Sequence, residues 1–283
     1  MILVDMNQVM ISNMMAQLGS HKNAQIDQNM IRHMVLNSLR SFRSRFSDEF
    51  GELIICCDDR NYWRREVFPY YKASRRESRQ KSEMDWNAIF ESLNAIRDEL
   101  KEFFPYRVFQ IDGCEADDII GTIVHKEGTI LNSNSPILVL SGDKDYIQLH
   151  QYGNVKQYDP TRKRWIGSDN PEQYLSEHII KGDSGDGVPN ILSQDNCMVV
   201  GIRQSPMTKK RLAQFSDINN MNDDVKRNYF RNKMLIDLSE IPEHITAKIL
   251  TEYGKPHTKD RSKLFNYFVK NKLKHLMSNL QEF

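Results

Sequence analysis

Residues 107–124 read RVFQIDGCEADDIIGTIV. The first five, RVFQI, have the character of a buried strand, and IIGTIV is apolar at helical spacing. Between them stand four carboxylates, Asp112, Glu115, Asp117 and Asp118. A strand that hands over to a helix through a knot of acids is half of a β-α-β unit, and the N-terminal half of the chain repeats the pattern. ILV precedes Asp5, LIICC precedes Asp58, and PILVL precedes SGDKD with Asp143 and Asp145. Between the first two runs Ile31, Val35, Leu39, Phe42 and Phe46 recur at helical spacing; between the second and third, Trp86, Ile89, Phe90, Leu93, Ile96, Leu100 and Phe103 do the same. Short apolar runs joined by a period of about 3.6 predict an α/β fold with a mainly parallel sheet flanked by helices.

That reading places the sheet within about residues 1–160 and an α/β core within 1–170. From 171 to 283 the chain reads as mainly helical, with segments near 207–215, 222–236, 241–253 and 261–278. The stretch 60–82 is an insertion rich in Arg, Ser and Tyr. Functional groups of a parallel sheet gather beyond the carboxyl ends of its strands. Four strand ends carrying acids at once therefore predict one acidic edge.

Composition narrows the possibilities. The 283 residues include 39 Lys or Arg and 38 Asp or Glu, a formal net charge of +1. No run approaches the length of a membrane helix. The N-terminal MILVDMNQVM reads as a first strand rather than a signal peptide, because it lacks a basic flank and carries Asp5 within its apolar run. The four cysteines, Cys56, Cys57, Cys114 and Cys197, form no CxxC pair, which argues for reduced thiols and against a zinc site. The histidines show no HxxH or HExxH spacing, and His33 and His150 read as structural. Charge is segregated: residues 60–81 hold eight Lys or Arg against two Glu.

Ionised carboxylates crowded at one edge repel, and a divalent cation resolves the conflict. Mg²⁺ is held through carboxylates and water without His or Cys. Two such ions about 4 Å apart activate a water and stabilise the leaving oxygen of a phosphodiester. GDSGD adds Asp183 and Asp186 from the helical half. Helix capping alone explains any one of these acids but not doublets such as EADD and DKD; Asp112 reads as a turn residue. RNYWRREVFPYYKASRRESRQK interleaves cations with rings, as phosphates and unpaired bases require. The predicted nucleic-acid contacts are Arg60, Arg65, Tyr70, Tyr71, Arg75, Arg76 and Lys181.

The motifs LVDMNQ, CCDDRNYWRREVFPYYK, EADD, SGDKDYIQLH and KGDSGD, in this order, resemble the phage ribonuclease H branch (T-even type) of the flap endonuclease, or 5′-nuclease, family. The resemblance runs from Asp5 to YFVK and the final EF. It implies a nuclease core, a basic helical arch or bridge at about 60–82, and a C-terminal lobe with a helix–hairpin–helix-like DNA-binding element. It implies a 5′→3′ exonuclease on RNA·DNA and DNA duplexes that also cleaves flaps and removes RNA primers. One Mg²⁺ is then expected with Asp5, Asp58, Glu115 and Asp117. A second is expected with Asp143, Asp145, Asp183 and Asp186, with Asp118 tuning the shell and Mn²⁺ able to substitute. Arg64 and Lys72 match arch cations facing the scissile phosphate; with Asp117 and Asp145 they form the expected catalytic set. A monomer in the host cytoplasm is expected, with a single-strand DNA-binding protein and a sliding clamp as further partners. Two other readings share the acidic edge, a small PIN-type ribonuclease and a non-catalytic DNA-binding relative.

Overall fold

Each apolar run of the N-terminal half becomes a strand. The computed structural model describes residues 1–18, 27–82, 84–129 and 135–283, with the side chains of Arg76 and Glu77 excepted. Strands β1 (Ile2–Asp5), β2 (Leu53–Cys56), β3 (Arg107–Phe109) and β4 (Ile137–Leu140) run parallel, and β5 (Val155–Asp159) continues them. A final strand, β6 (Arg164–Ile166), pairs antiparallel with β5, so the sheet order is β3-β2-β1-β4-β5-β6. β5 lies within the expected sheet range of about 1–160 but is not marked by an apolar run, and β6 lies beyond it. Lys156 and Gln157 interrupt the first, and two residues of the second face solvent, so neither shows an apolar run.

Side chains of a strand alternate between faces, and the two faces bury different cores. Ile2, Val4, Ile55, Leu138 and Leu140 pack under α1 (Met6–Leu18), α2 (Gln28–Phe50) and α5 (Trp86–Phe103), through Met10, Leu39 and Ile96. Leu3, Ile54, Ile137 and Val139 pack under α6 (Ala116–Gly128), through Ile119, Ile120 and Ile123. Each such side chain contributes about 1.5–3 kcal/mol by leaving water. Asp27 and Asp85 cap the long helices α2 and α5, each accepting a bond from a first-turn amide.

The basic insertion folds into two short helices, α3 (Arg64–Val67) and α4 (Ala73–Gln80). Beyond it come α7 (Pro171–Lys181), α8 (Lys209–Phe215) and α9 (Asp223–Ile236); Ile179, Val188 and Leu235 pack there with Phe68 and Tyr71 of the insertion, and Ile180, Ile191 and Met221 form a second small cluster. No helix follows α7 before Lys209. From Leu238 the chain returns to the sheet. Helix α10 (Glu243–Gly254) puts Ile245 and Ile249 against α6, while α11 (Leu264–Lys270), α12 (Lys274–Met277) and Phe283 close the opposite core. The C-terminal helices therefore pack both against the basic insertion and against the core of the sheet, which hydropathy spacing alone does not distinguish. Among the described residues no helix is long and apolar enough to cross a membrane.

β1 leaves the sheet toward β2 on one side, and the chain later returns to β4 on the other side of β1. Connections diverge at this point, opening a crevice beyond the carboxyl ends of β1 and β4. Asp5 ends β1, and Ser141-Gly142-Asp143 follows β4.

Candidate active site at the strand ends

The acids of the crevice are positioned by helix starts. Asp5 Oδ1 accepts from the Gln8 amide (3.2 Å), and Asp58 Oδ1 accepts from the Ala116 amide at the start of α6 (2.8 Å). Asp143 Oδ1 accepts from the Asp145 amide (3.1 Å), opening the 3₁₀ helix Lys144–Gln151. Glu115 and Asp118 form a reciprocal capping box, with the Glu115 amide donating to Asp118 Oδ2 (2.8 Å). Capping and convergence are thus the same arrangement: unpaired amides at helix N-termini favour negative charge, and the sheet topology brings those N-termini together.

The carboxylates run in one continuous series. Asp58 feels Glu115, Asp5 feels Asp58, Asp117 feels Asp5 and Asp143, and Asp183 feels Asp145 and Asp186. Burial and then the Asp58 charge push the Asp5 carboxyl up to about 7. Burial and then Asp145 push Asp143 to about 7 as well. Asp117 is held well above the usual carboxylate range by burial, Asp5 and Asp143. Burial also opposes ionisation of Asp186, but Lys72 and Arg75 outweigh it and hold that carboxyl below its usual range. The hydroxyl of Tyr146 lies 2.5 Å from Asp117 Oδ1 and 3.3 Å from Asp5 Oδ2. Asn7 donates to Asp58 Oδ2 (3.0 Å), and Ser141 Oγ donates to Asp5 Oδ2 (3.1 Å).

The turn after α7 brings Asp183 and Asp186 to the crevice. Gly182 has φ +68°, and a Cβ there would lie 2.4 Å from the Val188 carbonyl oxygen. Gly187, at φ +74°, lets the turn pass against the backbone of Tyr70 and Lys72, whose amide donates to the Asp186 carbonyl (2.7 Å). Asp183 Oδ1 accepts from the Gly185 amide (2.7 Å).

Several expected residues sit elsewhere than the sequence reading placed them. Arg64 does not face open solvent. Its guanidinium is 2% exposed and donates to the Leu235 carbonyl (2.9 Å), Glu115 Oε2 (3.0 Å) and Asp118 Oδ1 (2.7 Å). Asp118 is likewise no open ligand: one oxygen meets Arg64, the other the Glu115 amide, and none of its surface is exposed. Lys72 does enter the crevice, with Nζ 2.5 Å from Glu115 Oε1 and 3.3 Å from Asp186 Oδ2. Tyr71, expected to stack on a base, is buried and donates to Asp186 Oδ2 (2.8 Å). Trp63 and Phe68 are also buried. Tyr70 is partly exposed, and Arg60, Arg65 and Lys181 face solvent, Lys181 paired with Glu177 at 2.6 Å. Arg75 is half-exposed and pairs with Asp186. The Arg76 side chain lies outside the described residues.

The sequence reading passed over His178. Its Nε2 lies 3.0 Å from Asp145 Oδ1 and 4.0 Å from Asp183 Oδ2. The one available signal was its position five residues before Asp183, in the turn of α7 that faces the crevice.

The raised carboxyls predict an effect of pH on stability in EDTA. An unfolded Asp titrates near 4 and folded Asp143 near 7. Below about pH 4 both states are protonated and the group contributes nothing. As pH rises from about 4 to 7 the unfolded chain releases its proton first, so Asp143 progressively destabilises the fold. Asp143→Asn retains a capping oxygen and should stabilise the metal-free protein by about 1–3 kcal/mol at pH 8, after discount for partial exposure and coupling. Melting curves of both proteins should converge as pH falls toward about 4; a gap independent of pH would refute the assignment.

An acid-lined crevice at the switch point of a parallel sheet, overhung by a cationic helical segment, is the outline of a phosphodiester hydrolase. Known proteins specify which. Residues 1–179 match the family described as "5'-3' exonuclease, N-terminal resolvase-like domain", and residues 169–283 match "T4 RNase H, C terminal". The chain is 32% identical to the "Ribonuclease H" of Enterobacteria phage T4, over 99% of its own length and 95% of that protein. It is 23% identical to a "5'-3' exonuclease" of Buchnera aphidicola over 64% of its length and 59% of that protein. The fold is similar to a bacteriophage T5 flap endonuclease solved with DNA and metal ions, with a TM-score of 0.61 and 20% identity over 96% of this chain and 97% of that one. It is also similar to a T5 5'-exonuclease solved with zinc, with a TM-score of 0.60 and 18% identity over 89% and 97%. The chain belongs to the 5′–3′ exonuclease family, in its phage ribonuclease H branch, and is a nuclease.

Proposed function

We propose that this nuclease is a Mg²⁺-dependent 5′→3′ exonuclease on RNA·DNA hybrid and DNA duplexes that also cleaves 5′ flaps. Its task on this reading is to remove RNA primers from lagging-strand fragments during phage replication in the host cytoplasm. The observation that carries the reading is the convergence of carboxylates from four strand ends and the 183–186 turn on one crevice, where burial and then neighbouring charges raise the pKa of Asp5, Asp58, Asp117, Asp143 and Asp183. Such oxygen donors suit a hard divalent cation.

Asp5, Asp58, Glu115 and Asp117 would hold one ion, and Asp143, Asp145, Asp183 and Asp186 the second. Bound there, the ions would supply a deprotonated water and Lewis-acid stabilisation of the leaving oxygen. The protein's own groups do the rest. Lys72 is held at the crevice by Glu115 and Asp186, beside where charge grows on the phosphoryl oxygens. Tyr146 and Ser141 orient Asp5, and Asn7 orients Asp58. Arg60, Arg65, Arg75, Tyr70 and Lys181 would contact the nucleic-acid backbone. Residues 1–170 would form the catalytic unit and 171–283 the part that grips duplex. A single-strand DNA-binding protein and a sliding clamp complete the proposed partners of a monomer.

Lys72→Ala should lower the single-turnover cleavage rate about 10²–10³-fold, the scale of one lost transition-state donor, and change the duplex Kd far less. An unchanged rate at saturating substrate would make Lys72 a tether only. The function itself is tested with a nicked duplex whose downstream strand begins with a short RNA segment and is labelled at its 3′ end. Mg²⁺ should produce a ladder shortening from the 5′ side, and EDTA should abolish it. Binding without cleavage under any divalent metal would instead mean a DNA-binding relative.

A further inference from the structure

We infer that His178 supplies an imidazole ligand to the cation position formed by Asp145 and Asp183, and so biases that position toward Mn²⁺ over Mg²⁺. This deepens the reading above and rests on it. One donor atom from each of Asp145, His178 and Asp183 lies within 4.8 Å of the others. Donors about 2.1 Å from one ion stand about 3 Å apart on adjacent vertices and about 4 Å apart on opposite ones. The separations of Nε2 from Asp145 and Asp183, 3.0 and 4.0 Å, fall in that range.

The ring is set for this role by its surroundings. It stacks on Tyr174, with centroids 5.9 Å apart and planes at 20°. The ring is one-fifth exposed, yet Nε2 itself is shielded from water and has no well-aligned hydrogen-bond partner among the described residues. Gly182 reverses the chain one turn later, so His178 and Asp183 approach the same point from the two arms of the bend. The rest of the acidic edge offers only oxygen. An imidazole nitrogen adds little for Mg²⁺, which prefers oxygen and retains its water, and more for a softer first-row ion. A His placed only as a counter-ion would bridge the two acids without touching a metal, and spectroscopy separates the alternatives.

Mn²⁺ is added to the metal-free full chain and to His178→Gln, and electron spin echo envelope modulation is recorded. The wild type should show ¹⁴N modulation from a coordinated imidazole, and His178→Gln should lose it. Mn²⁺ affinity at this position should fall about tenfold in the variant while Mg²⁺ affinity changes less than about twofold. His178→Ala, with its melting temperature checked, should behave alike and regain the modulation when free imidazole is added. Absence of the modulation in wild type, or its persistence in both variants, would overturn the inference. Mn²⁺ binding that still depends on Asp145 would then leave the nuclease reading standing, whereas no Mn²⁺ binding at all would sink both.

Discussion

Asp145→Asn should abolish cleavage while leaving the protein folded and able to bind DNA. Asp145 lies in the first turn of the 3₁₀ helix after β4, its amide held by Asp143 and its Oδ1 beside His178. The substitution keeps the shape and removes one negative charge. A metal position that loses a carboxylate loses several kcal/mol of transition-state stabilisation, and about 4 kcal/mol corresponds to a rate loss of about 10³-fold. Duplex affinity should stay within about threefold, or tighten, because repulsion between the crevice and phosphate falls. Filter binding in Ca²⁺ and single-turnover cleavage in Mg²⁺ separate the two quantities. Equal loss of both would mean that Asp145 shapes the duplex contact rather than the chemistry.

Arg64→Ala should act on stability first. Arg64 is fully enclosed, and its guanidinium meets Glu115, Asp118 and the Leu235 carbonyl at once. Removing it leaves buried Asp118 without its counter-ion and Glu115 with Lys72 alone; breaking a buried pair in this way costs about 3–5 kcal/mol. Arg64→Lys should recover little, since an ammonium cannot reproduce a planar fork aimed at three acceptors. The melting temperature should therefore fall by many degrees in both variants, and Asp118→Asn introduced with Arg64→Ala should return part of it. If Arg64→Ala melted like wild type and lost only cleavage, the arginine would face the phosphate, as its place in YWRR first suggested.

The contrast between these two residues shows what the sequence carries and what it does not. Asp5, Asp58, Glu115, Asp117, Asp143 and Asp145 were legible as a group because each follows an apolar run, and parallel strands put their ends on one edge. Asp183 and Asp186 stood out through the glycines of the bend between α7 and Val188. Arg64 could not be placed, because one partner, Leu235, is 171 residues away and nothing local marks an arginine as buried. The same limit hid Tyr71: its hydroxyl reaches Asp186 across 115 residues, while its local setting is that of an exposed, cationic loop. Tyr146 and Ser141 lay inside the SGDKDY motif but lacked charge to single them out. His178 sat on an ordinary amphipathic helix, and only the bend at Gly182, which brings Asp183 back to it, marks that turn of α7 as part of the crevice. In the fold, β5 and β6 escaped notice because strands near a sheet edge tolerate polar residues, so their apolar signal is weak.

On the proposed function the strand-end carboxylates form a seat for divalent cations. Crystals grown with Mn²⁺ and measured at its absorption edge test it most directly. Two anomalous peaks are expected, one among Asp5, Asp58 and Asp117 and the other among Asp143, Asp145 and Asp183. A crevice without a peak in the presence of millimolar Mn²⁺, or peaks confined to acids on the outer surface, would contradict the claim.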